Sequence, residues 1–149
     1  MDCSHNNKAG ELMKLIFFLL PLLLFAKPKF SDEQIKAMTP RYFQRNHSAP
    51  ELVGVSIYRT RKGRVYQVDI KVDRNRSNED LEFAYSALTN MGQYAKKPFH
   101  QFIVVLHSNV RDNPPQVCIG KAKCSIDCFI HQKVSYEKWY NECIYFKEL

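Results

Sequence analysis

Two successive stretches of this chain alternate apolar and polar residues with a period of two. Val53, Val55 and Ile57 are interleaved with Gly54, Ser56 and Tyr58, and Tyr66, Val68, Ile70 and Val72 with Gln67, Asp69 and Lys71. In an extended chain, successive side chains point to opposite faces, so such runs bury one face and wet the other. Lys62-Gly63 lies between them, and glycine accepts the positive φ that a tight hairpin turn demands. The pattern predicts a β-hairpin over about residues 53–72. A sheet with one apolar face must then find a second layer to cover it.

The flanking sequence supplies that layer. Ser31 is a suitable N-cap, followed by Asp32, Glu33 and Gln34 in a first turn where the helix dipole favours negative charge. Ile35, Met38, Tyr42 and Phe43 recur near helical spacing, and Pro40 is expected to break or restart that helix. Ser77 is expected to cap a second helix over about residues 78–94, whose Leu81, Ala84, Tyr85, Leu88 and Met91 form one apolar stripe. Next comes Phe102-Ile-Val-Val-Leu106, apolar at every position and therefore expected as a central strand covered on both faces. Strand, helix and strand in this order read as a crossover, right-handed if the strands are parallel. Residues 116–123 alternate weakly as a further strand, and Ser135 begins a last helix in which Trp139, Tyr140, Cys143 and Ile144 share a face. The fold class expected is α+β: two layers, with a mixed β-sheet, the hairpin, the crossover helix and flanking helices.

Residues 13–26, MKLIFFLLPLLLFA, place a basic residue before an apolar run that ends on a small one. That is the layout of a secretory signal peptide. The run over residues 15–26 falls well short of the about 20 residues a helix needs to span a bilayer. Cleavage after Ala26 would leave residues 27–149 as a single exported domain. Residues 1–12 form a polar leader that fits poorly, which makes Met13 the better initiator. The competing reading keeps residues 15–26 as an uncleaved single-pass anchor of an envelope component.

Export decides how the cysteines are read. Cys118, Cys124, Cys128 and Cys143 remain after cleavage, an even number. In a periplasmic or secreted protein they are expected to form two disulfides, with connectivity left open. A Cys3His zinc set from Cys124, Cys128, His131 and Cys143 is the rival, at irregular spacing.

The chain carries 22 basic and 15 acidic residues, a net charge of +7. The densest cluster, Arg59, Arg61, Lys62 and Arg64, lies at the hairpin turn and is a candidate anion-binding site. Outside the cytosol, an envelope or extracellular protein or an anionic surface is a more natural partner than nucleic acid. A membrane partner is expected only if the N-terminal segment stays attached. There is no Gly-rich phosphate loop, HExxH, GxSxG or CxxC, so no cofactor or metal is expected. The candidates for catalysis are His107 and Ser108, at the carboxyl end of the central strand. His100, at its other end, would stand about 23 Å away along a straight strand, too far to act on the same bond. The leading reading is a small exported, disulfide-containing binding or accessory protein. A secreted hydrolase or ribonuclease is the alternative. The aromatic carboxyl segment, Tyr136, Trp139, Tyr140, Tyr145 and Phe146, is a candidate contact for a partner or else core.

Overall fold

Among the described residues, five strands form one mixed sheet in the order β1-β2-β3-β4-β5, with four helices beside it. The computed structural model describes residues 29–73, 75–110 and 113–148. The proposed signal segment, the polar leader and Cys3 lie outside the described residues. The strands are β1 (Glu51–Thr60), β2 (Gly63–Val72), β3 (Gln101–Ser108), β4 (Gln116–Lys121) and β5 (Ile144–Glu148). The helices are α1 (Asp32–Gln44), α2 (Ser77–Gly92), α3 (Ala122–Phe129) and α4 (Tyr136–Glu142). The α+β class, the hairpin and the flanking helices are as the sequence pattern predicts.

The antiparallel hairpin β1-β2 turns at Arg61-Lys62, and Gly63 takes φ +127°. A Cβ on Gly63 would also come within 2.8 Å of the His100 Cβ, so two constraints select glycine there. A bulge between Leu52 and Gly54 shifts the register. As a result Leu52, Val55 and Ile57 pack on the core, while Val53 is 56 % exposed rather than part of the apolar row. The helix α2 carries the chain from β2 to β3, which run parallel. The other neighbours, β3-β4 and β4-β5, are antiparallel.

The main core joins the helices to one face of the sheet. Tyr66, Val68 and Ile70 of β2 and Phe102 and Val104 of β3 meet Leu81, Tyr85 and Leu88 of α2, with Ile35 and Trp139 alongside. No helix residue joins the second, smaller cluster on the opposite face, where Val65, Ile103, Val105 and Val117 pack with Ile119. The Phe102–Leu106 run is therefore central, but helices cover only one of its faces. Ile103 and Val105 are shielded by neighbouring strand side chains instead.

Four local expectations are corrected. Helix α1 continues through Pro40, because Ile35, Thr39 and Phe43 are buried along it and hold the turn that proline weakens. Ser77 is the first residue of α2 and Arg76 its cap position, with no side-chain hydrogen bond closing that end. The strand expected over residues 116–123 stops at Lys121, and α3 begins at once. Finally, Cys143 caps α4 and Ile144 opens the edge strand β5, so the last helix is shorter than its apolar spacing suggests. Ser135 does cap α4, its hydroxyl accepting from the Lys138 N–H at 3.3 Å.

Candidate functional site

The basic turn divides into a fixed residue and free ones. Arg64, at the start of β2, has only 13 % of its side chain exposed. Its guanidinium donates to the Asp32 carboxylate at the start of α1 and to the Lys97 carbonyl, and lies 4.6 Å from the Phe99 ring centroid. One side chain thus ties the hairpin to α1 and to the segment before β3. Buried between a carboxylate and an aromatic face, that charge is already neutralised and stacked. Arg64 is a structural tie rather than a free anion ligand. Arg59, Arg61 and Lys62 remain exposed.

Beside Arg64 lies a cleft of about 410 Å³ lined by Ser31, Asp32, Ile57, Tyr58, Arg59, Lys96 and Lys97. Lys96 and Lys97 are functional candidates that sequence reasoning missed. The dibasic pair before Pro98 was visible, but its closeness to the hairpin depends on a parallel β2-β3 pairing that no short motif encodes. Phe30 brings the segment before α1 to the same place: its N–H donates to Tyr94 O at 2.8 Å, and Lys96 N–H donates to Phe30 O at 2.9 Å.

His107 and Ser108 face opposite sides of the sheet. They are adjacent on β3, and adjacent strand residues face opposite ways. His107 lies on the open face, where its Nε2 is 3.5 Å from Asp69 Oδ2. Gln67 donates to Asp69 Oδ1 at 2.8 Å, and Tyr58 donates to Gln67 Oε1 at 2.8 Å. This polar ladder crosses three strands and was not anticipated from the sequence. Ser108 instead accepts from the Val110 N–H at 3.1 Å, closing its own turn. His100 sits over Gly63 at the far end of the strand, and His47 and His131 lie in exposed turns. The described residues therefore do not bring a nucleophile to a histidine base.

One of the two expected disulfides is made. Cys124 on α3 and Cys143 at the end of α4 are bonded, with Cα atoms 6.1 Å apart. The rival zinc set thereby loses two of its thiolates. The second bridge is not formed: Cys118 and Cys128 carry free thiols. Cys118 faces the core from β4, where the Tyr85 hydroxyl donates to its carbonyl at 3.2 Å and approaches its Sγ at 3.5 Å. Burial pushes the Cys118 thiol up to about 11, with the Tyr85 hydrogen bond acting in the opposite direction. Burial, and then the charge of Glu82, also raises Cys128. Neither thiol is activated as a nucleophile.

The aromatic carboxyl segment splits between core and surface. Trp139 is fully buried, its indole N–H donating to Ser125 Oγ at 3.0 Å and its ring meeting Tyr85 and Phe129 edge-on at 5.0 and 4.8 Å. From it a run of rings leads outward. Tyr136 lies 5.4 Å from Trp139 and 6.3 Å from Tyr140, and Tyr140 lies 6.1 Å from Phe146. Tyr136 and Phe146 are exposed, and Tyr145 is exposed on the opposite face of β5. Among the described residues no helix is long and apolar enough to cross a membrane. No protein-family model matches this chain, and no curated protein or solved structure does so either.

Proposed function

We propose that this is a small exported protein, periplasmic or secreted, that binds a protein partner through the aromatic surface of its carboxyl segment. The observation that carries the reading is the run Tyr136-Tyr140-Phe146, anchored on buried Trp139 and open at its outer end. Rigid aromatic side chains on a packed base supply large contact area at little entropic cost, which is why they concentrate at protein interfaces. The Cys124–Cys143 bridge supports an oxidising compartment, consistent with residues 13–26 acting as a signal removed before Lys27. The test is photocrosslinking from position 140 in the native compartment. A discrete adduct that Tyr136→Ala and Phe146→Ala each weaken is expected. Indifference to both substitutions would contradict the assignment.

One observation favours the hydrolase as a second reading: Asp69 holds His107 on the open face, as a base-orienting carboxylate would. Under the binding reading, His107→Ala leaves partner capture unchanged. A hydrolytic activity abolished by that substitution at constant melting temperature would transfer the function to this pair.

A further inference from the structure

The topology gathers several chain segments at one end of the sheet. The hairpin turn at residues 61–62, the segment 94–100, the β4-α3 junction and the segment entering α1 at Phe30 all meet there. Backbone hydrogen bonds join them in sequence: His100 N–H to Arg64 O at 2.8 Å, Ala122 N–H to His100 O at 3.0 Å, and Phe30 N–H to Tyr94 O at 2.8 Å. From these segments Arg59, Arg61, Lys62, Lys96, Lys97 and Lys121 are exposed. Among the described residues none of the six is ion-paired; at the other end Lys71 and Arg76 are paired with Glu51, Glu79 and Asp80, while Arg41 and Arg45 are exposed cations outside these pairs. Of the carboxylates near this end, Asp32 is held by Arg64, Asp127 faces Lys123 at 2.6 Å, Glu142 faces Lys138 at 3.9 Å, and Glu33 is exposed. The Arg64 tie to Asp32, Lys97 and Phe99 fixes the segments from which these cations project.

We propose that this basic end is the surface by which the protein lies on an anionic phospholipid bilayer. Two arguments select a membrane over a soluble polyanion. Unpaired cations spread over one end of a domain match a planar field of headgroups, each contributing through a potential that reaches about 8 Å at physiological salt. Only Lys27 and Pro28 separate the apolar residues 15–26 from Lys29 in sequence, and Phe30 is clamped against Tyr94 and Lys96. The chain that a signal segment delivers to a bilayer thus joins the domain at its most basic point. The inference goes beyond the protein-binding reading and holds whether or not the segment is cut.

The test uses the protein purified from its native compartment and vesicles of phosphatidylcholine with or without phosphatidylglycerol. The variant Arg61→Gln/Lys62→Gln/Lys97→Gln removes three cations from the basic end. Arg41→Gln/Arg45→Gln/Lys71→Gln removes three from the opposite end. Binding to phosphatidylglycerol vesicles is expected to weaken about a hundred-fold in the first variant and less than about five-fold in the second. Both should melt close to the parent, since the altered side chains are exposed and the one ion pair broken, Lys71 with Glu51, lies at the surface. Equal losses in the two variants would overturn the proposal, leaving net charge alone. Equal binding to neutral vesicles would overturn it in favour of an inserted apolar segment. Preference for heparin over the anionic vesicles would overturn it in favour of a polysaccharide. None of these outcomes depends on the aromatic surface, and only the neutral-vesicle outcome requires the uncleaved segment, so failure here is distinguishable from failure of the binding reading.

Discussion

The two ends of the sheet are stabilised in different ways. At the hairpin-turn end the fastenings are internal: the Cys124–Cys143 bridge, the Arg64 tie to Asp32 and Phe99, and the seat of His100 over Gly63. At the opposite end they are external: Lys71 with Glu51, and Arg76 with Glu79 and Asp80, all involving exposed side chains except that of Asp80. An end held from within keeps its surface cations available. At the opposite end two of the surface cations, Lys71 and Arg76, are taken up in such pairs. The lesson is that net charge alone says little about where a basic protein binds, because pairing decides which charges are free.

Removing the internal fastenings should cost more than removing the external ones. The largest effect is expected from Cys124→Ser/Cys143→Ser. Opening a bridge between residues 19 apart in sequence should lower unfolding free energy by about 2–4 kcal/mol, read by urea denaturation. Gly63→Ala comes next, at about 1–3 kcal/mol, because it forces a Cβ into a left-handed backbone against His100. Arg64→Gln should cost about 1–2 kcal/mol and leave Asp32 without its partner, and solvent reaching Asp32 limits the loss. Arg76→Gln at the other end should cost less than about 1 kcal/mol, as exposed ion pairs do. A larger loss from Arg76→Gln than from Arg64→Gln would break the comparison. The smallest expected effect is a pH dependence at Asp80. Burial raises its carboxyl above the ordinary 3.8, with Arg76 opposing. Its folded-state preference for the proton therefore adds stability below the unfolded value, and this is lost as pH rises through the folded one. Asp80→Asn should flatten that part of the stability–pH profile in the mildly acidic range, and an unchanged profile would remove Asp80 from the account.

Much of the fold was legible where one physical rule dominates. The alternation over residues 53–72 specified the hairpin because side chains on a strand have only two directions. The stripe from Leu81 to Met91 specified α2 for the analogous helical reason. Val53 was misplaced because a bulge changes the register without changing the residue pattern. Residues 144–148 were hidden because Trp139, Tyr140, Cys143 and Ile144 satisfy a helical spacing, while pairing with β4 is a long-range contact. Candidate sites were less legible for the same cause. Arg64 resembles its neighbours in sequence and differs only in what it meets, and Asp69 gains its meaning from His107 on a strand far along the chain. Cysteine count suggested two bridges, but a thiol in the core beside Tyr85 and another in the last turn of α3 have no reason to meet.

The central claim, an exported protein stabilised by one disulfide, is tested most directly by the mass of the unreduced protein from its native compartment after alkylation under denaturing conditions. The account predicts a chain beginning at Lys27, one intact bridge between Cys124 and Cys143, and two alkylated thiols at Cys118 and Cys128. Alkylated without unfolding at mildly alkaline pH, the same protein should label Cys128 and leave Cys118 untouched, because burial keeps that thiol protonated up to about 11. A chain beginning at Met1 with all five cysteines alkylated would contradict both the export and the bridge.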